Sequence, residues 1–211
     1  MSDTFISNFS EFNEKWLALQ PQDTIRHAPF VYGLVRWLQP DSVLEVGPFR
    51  GAITAYIALA LHHNGKGELT TIDNFTHVGS LAGPAELQAN LESVGVWSDR
   101  IHIVQGNSAE VEFPAKIDLA ILDGDRTQPN FKREVQRVID AGARCFCVHD
   151  TMYHDYTYWY MEQFRKKKFP EWDVIDGIFN AGFAVALKRV DGPMTGWSPS
   201  ESNPLYHMDL P

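Results

Sequence analysis

Two short stretches place proton-handling side chains at the ends of apolar runs. Ile121-Leu122-Asp123-Gly124-Asp125-Arg126 closes one run, and Val148-His149-Asp150-Thr151 closes another. A carboxylate that ends a buried strand needs partners, because removing its water without compensation is costly. An imidazole can take up a proton near neutral pH, and a neighbouring carboxylate can orient it. His149 and His154 are the candidate bases, with Asp125 or Asp150 as the orienting group. A third stretch, Glu45-Val46-Gly47-Pro48-Phe49-Arg50-Gly51, brackets a tight turn with two glycines, so a ligand can come close to the backbone. The next apolar run ends at Asp73, where a carboxylate can accept hydrogen bonds from a ribose diol. A dinucleotide loop would read G-x-G-x-x-G, and here Pro48 and Phe49 crowd the place of its middle glycine. A ribose ligand without a diphosphate fits this loop better.

These residues need elements that bring them to one edge. The sequence predicts strands at Ser42–Val46, Glu68–Asp73, Arg100–Gln105, Ile117–Leu122 and Cys145–Val148. Helical patterns separate them, at Ile53–His63, Pro84–Val94 and Gln128–Ile139, with a further helix at Tyr156–Phe169. Trp172–Ile175 and Phe183–Leu187 follow as strands close enough to form a hairpin. This alternation predicts an α/β fold, a doubly wound and mostly parallel sheet whose appended hairpin makes one of the last strands antiparallel. Ligands of such sheets bind outside the carboxyl ends of the strands, which gathers Asp123, Asp125, His149 and Asp150 towards one crevice. Residues 1–40 read as a helical segment, with a helix at Ala28–Leu38. Residues 41–190 read as the sheet core of a single domain spanning 1–190, and 191–211 as an irregular tail.

On the motif Glu45-x-Gly47-x-x-x-Gly51 with Asp73 one strand later, the chain resembles the class I S-adenosylmethionine-dependent methyltransferases from about Val43 to Lys188. The resemblance implies a Rossmann-like methyltransferase fold of seven strands with S-adenosylmethionine as cofactor. It would set Glu45, Gly47, Phe49 and Gly51 around the amino-acid end of the cofactor and Asp73 on its ribose hydroxyls. Asn107 and Ser108 would stand at the adenine, with Asp123 also bordering the cofactor. D-L-A-I-L-D-G-D followed one helix later by V-H-D-T is similar to a subgroup of small-molecule O-methyltransferases that includes macrocin-type and cephalosporin-biosynthesis enzymes. Their metal-dependent members bind magnesium with an acid after the fourth strand and an adjacent pair after the fifth, which map onto Asp123, His149 and Asp150. A histidine in that set suits manganese or zinc better than hard magnesium, and Arg126 stands where the subgroup often has histidine. The resemblance makes His149, His154 and Asp123 the catalytic candidates, a phenol, sugar or related hydroxyl the acceptor, and a homodimer a compatible assembly. Acceptor nitrogens would be served by the same cofactor site.

Composition narrows the partners. The 211 residues carry 18 basic and 27 acidic side chains, a net charge of −9 and a pI near 5.3. That balance argues against a nucleic-acid surface, and Arg165-Lys166-Lys167-Lys168 reads as a solvated helix end. Cys145 and Cys147 point to one face of a strand as ordinary buried thiols, which suits a reducing cytoplasm. No stretch is apolar for long enough to span a bilayer, and MSDTFISNFSEFNEKW lacks the layout of a signal peptide. Plainer readings stand beside the chemical ones. Asp150 and Thr151 can cap a helix, Asp125 can close a turn with Gly124, and His62 and His63 can serve a helix dipole. Trp159 reads as core, Tyr153 and His154 as substrate contacts, and Trp197 and Tyr206 as part of a tail that covers a pocket or a partner. Two other functions remain open at this point. One is a methyltransferase-fold protein that binds a nucleoside without catalysis, and the other is a nicotinamide-dependent oxidoreductase.

Overall fold

The computed structural model describes residues 6, 8–19, 27–77, 79–124, 127–152, 155–166, 168–176 and 182–189. Two helices come first, α1 at Phe9–Leu19 and α2 at Ala28–Leu38, with Pro29 in the first turn of α2 where its missing N–H costs nothing. The alternating part follows as β1 Ser42–Val46, α3 Ala52–Asn64, β2 Glu68–Asp73, α4 Pro84–Ser93, β3 Ile101–Gln105, β4 Leu119–Leu122, α5 Gln128–Asp140, β5 Cys145–His149 and α6 Asp155–Arg165. β6 Trp172–Ile175 and β7 Phe183–Lys188 are the last elements among the described residues. The seven strands form one sheet in the order β3-β2-β1-β4-β5-β7-β6. All pairings are parallel except those of β7, which runs antiparallel to both β5 and β6.

Strand parity assigns side chains to the two faces. Val43, Leu119, Ile121, Cys145, Cys147, Phe183 and Val185 pack towards α2 and α3. Leu44, Val46, Ala120, Leu122, Phe146, Val148, Ala184 and Ala186 pack towards α5 and α6. The two cysteines therefore share a face as buried free thiols. Helix α3 is buried from Ala52 to Leu61; its four alanines let it lie close between α2 and the sheet. Helix α5 is one-sided, burying Phe131, Val135 and Val138 while Lys132, Arg133 and Gln136 face solvent. At the opposite face, Phe146, Phe164 and Trp172 meet edge to face at ring separations of 5.0–6.4 Å, each aromatic contributing roughly 1.5–3 kcal/mol by burial.

β3 and α4 are each one residue shorter than their sequence pattern, and β4 and α6 are shorter for a visible reason. β4 begins at Leu119, because Asp118 is taken up in anchoring the far end of the sheet. Its Oδ2 accepts from Asp41 N (2.8 Å) and Ser42 N (3.1 Å), and Lys116 and Arg144 approach Oδ1. Helix α6 stops at Arg165, where the chain bends back and stacks Phe169 on Phe164 with ring centroids 4.1 Å apart. Among the described residues no helix is long and apolar enough to cross a membrane. Asp125, Arg126, Tyr153, His154, Trp197 and Tyr206 lie outside the described residues, as does the expected tail.

Candidate active site

The chain reverses direction between β1 and α3 in a turn whose geometry depends on glycine. Gly47 has φ +83°, its N–H donates to Ile72 O (2.9 Å), and a side chain there would meet the backbone of Asp123 and Gly124. Gly51, at φ +93°, caps α3, and a Cβ there would lie 2.5 Å from Leu87 Cδ1. Phe49 between them is left-handed at φ +53° and partly exposed, with its ring edge to His77 and the Arg50 guanidinium 5.6 Å from its centroid. The turn thus presents bare backbone on one side and an aromatic ring on the other.

Glu45 lies beneath this turn on the α3 face. Thr54 donates to its Oε2 at 2.7 Å, and the buried Thr71 hydroxyl lies beside the same carboxyl. Burial pushes its carboxyl up to about 7, against the pull of the Thr54 hydroxyl. Asp73, half-buried at the end of β2, accepts from Phe75 N through Oδ1 (2.6 Å), which fixes the carboxylate at the strand end. Asn107 and Ser108 follow β3. Asn107 is exposed and accepts from Ala109 N (3.0 Å), whereas Ser108 is buried and donates its hydroxyl inward to Glu134 on α5. The Ser108 side chain is therefore committed to the fold rather than presented to solvent.

Neighbouring β4 and β5 bring the second group together. Asp123 continues the parity of Leu119 and Ile121, and His149 that of Cys145 and Cys147, so both side chains emerge on the α2–α3 face. His149 Nδ1 stands 3.0 Å from Asp123 Oδ1 and 3.3 Å from Asp150 Oδ1. Ligand atoms of the three residues all lie within 4.8 Å of one another, and each side chain is partly open to solvent. The three ligand atoms are close enough together for one small divalent ion to meet all of them, and the 3.0 Å separation is also that of an imidazole–carboxylate hydrogen bond. Two carboxylates and an imidazole also suit manganese or zinc. Asp150 reaches the group only in a left-handed conformation, φ +59°. The next residue holds it there: Thr151 is buried, donates its hydroxyl to Asp176 Oδ1 (2.7 Å) and its N–H to Gly182 O (3.3 Å). Thr151 thus ties the β5–α6 loop to the β6–β7 hairpin.

One residue of the site has no counterpart among the sequence candidates. His27, at the start of α2, is 5% exposed and lies with its ring 4.2 Å from that of His149 and 5.1 Å from that of Phe183. Burial first, then His149, pushes its imidazole down to about 4, with Asp123 pulling the other way. It is neutral at physiological pH. The only local signal was a polar residue just before the Ala28-Pro29 helix start, which says nothing about a distant strand end. Trp159 also departs from expectation. It is 53% exposed and stacks on Tyr156, because the face of α6 turned to the sheet is filled by Tyr160, Met161 and Phe164. His62 and His63 do end α3, and His63 Nδ1 is hydrogen-bonded to the Tyr32 hydroxyl at 2.8 Å.

The glycine turn, the Asp73 carboxylate and the acid–imidazole cluster all lie at the carboxyl ends of the parallel strands, where ligands of doubly wound sheets bind. The profile of the methyltransferase domain matches residues 44–151, more than half of the chain and the whole span from Glu45 to Asp150. The chain belongs to this methyltransferase family. No curated protein sequence matches it. Among solved structures, the O-methyltransferase TomG of tomaymycin synthesis from Streptomyces achromogenes, in complex with SAM, is 17% identical, with 90% of this chain and 94% of that one covered and a TM-score of 0.60. An O-methyltransferase from Bacillus cereus in complex with SAH is 16% identical over 89% of this chain and 94% of its own, with a TM-score of 0.60. The SAH-bound methyltransferase PaMTH1 of Podospora anserina is 13% identical over 89% and 91%, with a TM-score of 0.61. These likenesses share the seven-stranded architecture, and family membership sets the oxidoreductase reading aside.

Proposed function

We propose that the protein transfers the methyl group of S-adenosylmethionine to a hydroxyl of a small molecule, assisted by a divalent cation at Asp123, His149 and Asp150. The observation that carries this reading is the convergence of those three ligand atoms beside the Gly47 turn, where the β1 and β4 ends meet. The SAM and SAH complexes of TomG and the Bacillus cereus enzyme support the choice of cofactor, and their description as O-methyltransferases supports an oxygen acceptor.

S-adenosylmethionine supplies an electrophilic methyl on sulfur, and the protein's task is to orient the acceptor oxygen in line with it. Asp73 would accept the ribose hydroxyls, and Gly47 lets the ligand approach without meeting a side chain. Glu45 would border the amino-acid end from beneath the Gly47 turn. A cation at the triad would lower the pKa of the acceptor hydroxyl. Asp123 and Asp150 would neutralise its charge, and His149 would be the third residue to hold it. The exposed Phe49 on one side and Met152 beside Asp150 flank this edge with apolar surface.

Calorimetry with S-adenosylhomocysteine, alone and with Mg2+, Mn2+ or Zn2+, tests the reading. Micromolar cofactor binding together with a Mn2+ heat that Asp150→Ala removes is the expected result. Cofactor binding with no cation effect would reassign Asp123 and His149 to metal-free proton transfer, and no cofactor binding would overturn the proposal.

A further inference from the structure

The first turn of α2 lies outside the family-matched span, yet it closes the site. His27 and Phe30, three residues apart and so on one helix face, both reach Phe183 at the start of β7, at ring distances of 5.1 and 5.9 Å. Phe183 is the register partner of His149 across the antiparallel β5–β7 pair, so their side chains emerge side by side on the same sheet face. Their rings are 6.4 Å apart and nearly edge to face. His27 lies across both, tilted 40° to His149 and 24° to Phe183.

His149 is thus enclosed on three sides. Phe183 flanks one edge of the imidazole, His27 covers a face, and Asp123 and Asp150 meet Nδ1. An imidazole turns about its Cβ–Cγ bond through a broad torsional profile, so hydrogen bonding to one nitrogen alone leaves the ring plane loosely set. A flat ring packed on its face removes that freedom. We propose that His27 is a positioning residue, whose ring lies over His149 and Phe183 and holds the His149 imidazole in the plane that turns Nδ1 to Asp123 and Asp150. This rests on the reading of Asp123, His149 and Asp150 as the cation site. It also gives the N-terminal helices a role in the site: α2 docks on α3 and carries the cover with it.

The role rests on the ring's place over His149 and Phe183, which the choice of variants tests. His27→Ala and His27→Gln remove the ring, the second with less loss of volume should the first fail to fold, and His27→Phe keeps it. Crystal structures of the three metal-free variants report where His149 lies. The expected result is His149 displaced from Asp123 in the alanine and glutamine variants and retained at about 3.0 Å in the phenylalanine variant. Mn2+ titration should show about tenfold weaker binding without the ring, the usual scale for groups that orient a metal ligand, and binding within about twofold of the parent for His27→Phe. His149 unmoved in the alanine and glutamine variants overturns the proposal. So does His149 displaced beneath a phenylalanine ring that itself occupies the His27 position. If the parent protein takes up no Mn2+, the cation reading falls, and the position of His149 in the variant crystals still decides the role of His27.

Discussion

Gly47→Ala is the sharpest perturbation of the site, because its cost has two parts that the structure separates. The backbone at Gly47 is left-handed, φ +83°, which an alanine adopts at a cost of about 1 kcal/mol. The added Cβ would lie 2.7 Å from Asp123 C and 3.0 Å from Gly124 N, and closer still to the Asp123 carbonyl oxygen. All three are backbone atoms, and Asp123 N is itself tied to Val46 O at 2.8 Å, so no flexible side chain can yield. Overpacking of this kind costs about 1–3 kcal/mol, for a total of about 2–4 kcal/mol. Gly65→Ala is the control. Gly65 is left-handed at φ +70° with nothing within 4 Å of its would-be Cβ, so it carries the backbone part alone. Urea denaturation of both variants and the parent isolates the steric part as their difference, expected at about 1–3 kcal/mol, with Tm lower by roughly 2–4 °C per kcal/mol for a chain this long. The displaced Asp123 backbone should also weaken Mn2+ binding in Gly47→Ala and leave it unchanged in Gly65→Ala. Equal stabilities for the two alanine variants would refute the reasoning, since the contact between the turn and the β4 end would then carry no constraint.

Asp73→Ala should weaken S-adenosylhomocysteine binding by about 1.5–3 kcal/mol in calorimetry, the scale of a charged hydrogen-bond acceptor; unchanged affinity would remove the ribose from this strand end. Glu45 titrates with a folded value of about 7 against an ordinary 4.5, so its stabilising share is full below pH 4.5 and is lost as the pH rises to about 7. Glu45→Gln should therefore gain on the parent by on the order of 3 kcal/mol between pH 4.5 and 7.5 in denaturant titrations. The opposite slope of His27, whose value is pushed down, is common to both proteins and cancels in the difference. Thr151→Val should weaken Mn2+ binding about tenfold by releasing the left-handed Asp150, and Thr151→Ser should retain it. Loss in Thr151→Ser with retention in Thr151→Val would show that the methyl group, and not the bond to Asp176, holds the loop.

Strand periodicity alone located β1, β2 and β6 at their observed bounds, because a short apolar run between turn residues has few other ways to bury itself. Parity within those runs also placed side chains. Once Leu119 and Ile121 point to one face, Asp123 emerges on it, and the cysteines carry His149 to the same side. The adjacency of β4 and β5 then follows from the doubly wound order, so the meeting of Asp123, His149 and Asp150 was already implied by the chain. The lost start of β4 and the shortened end of α6 are where a single side chain chose a different partner: Asp118 took the start of β1, and Phe169 returned to Phe164.

The tertiary structure decided what covers and braces those groups. His27 meets His149 only because α2 docks on α3, a contact between faces whose pairing no local pattern encodes. Ser108 turns from the crevice because Glu134 on α5 is buried behind it, and Trp159 is exposed because three neighbours already fill the inner face of α6. Asp150 is held left-handed by Thr151, Asp176 and Gly182, drawn from two segments far apart in sequence. Local sequence sets periodicity, turn chemistry and the groups a strand end can offer. Docking of helices and hairpins sets which of those groups are covered and in what orientation, since that depends on the summed packing of surfaces that are separate along the chain.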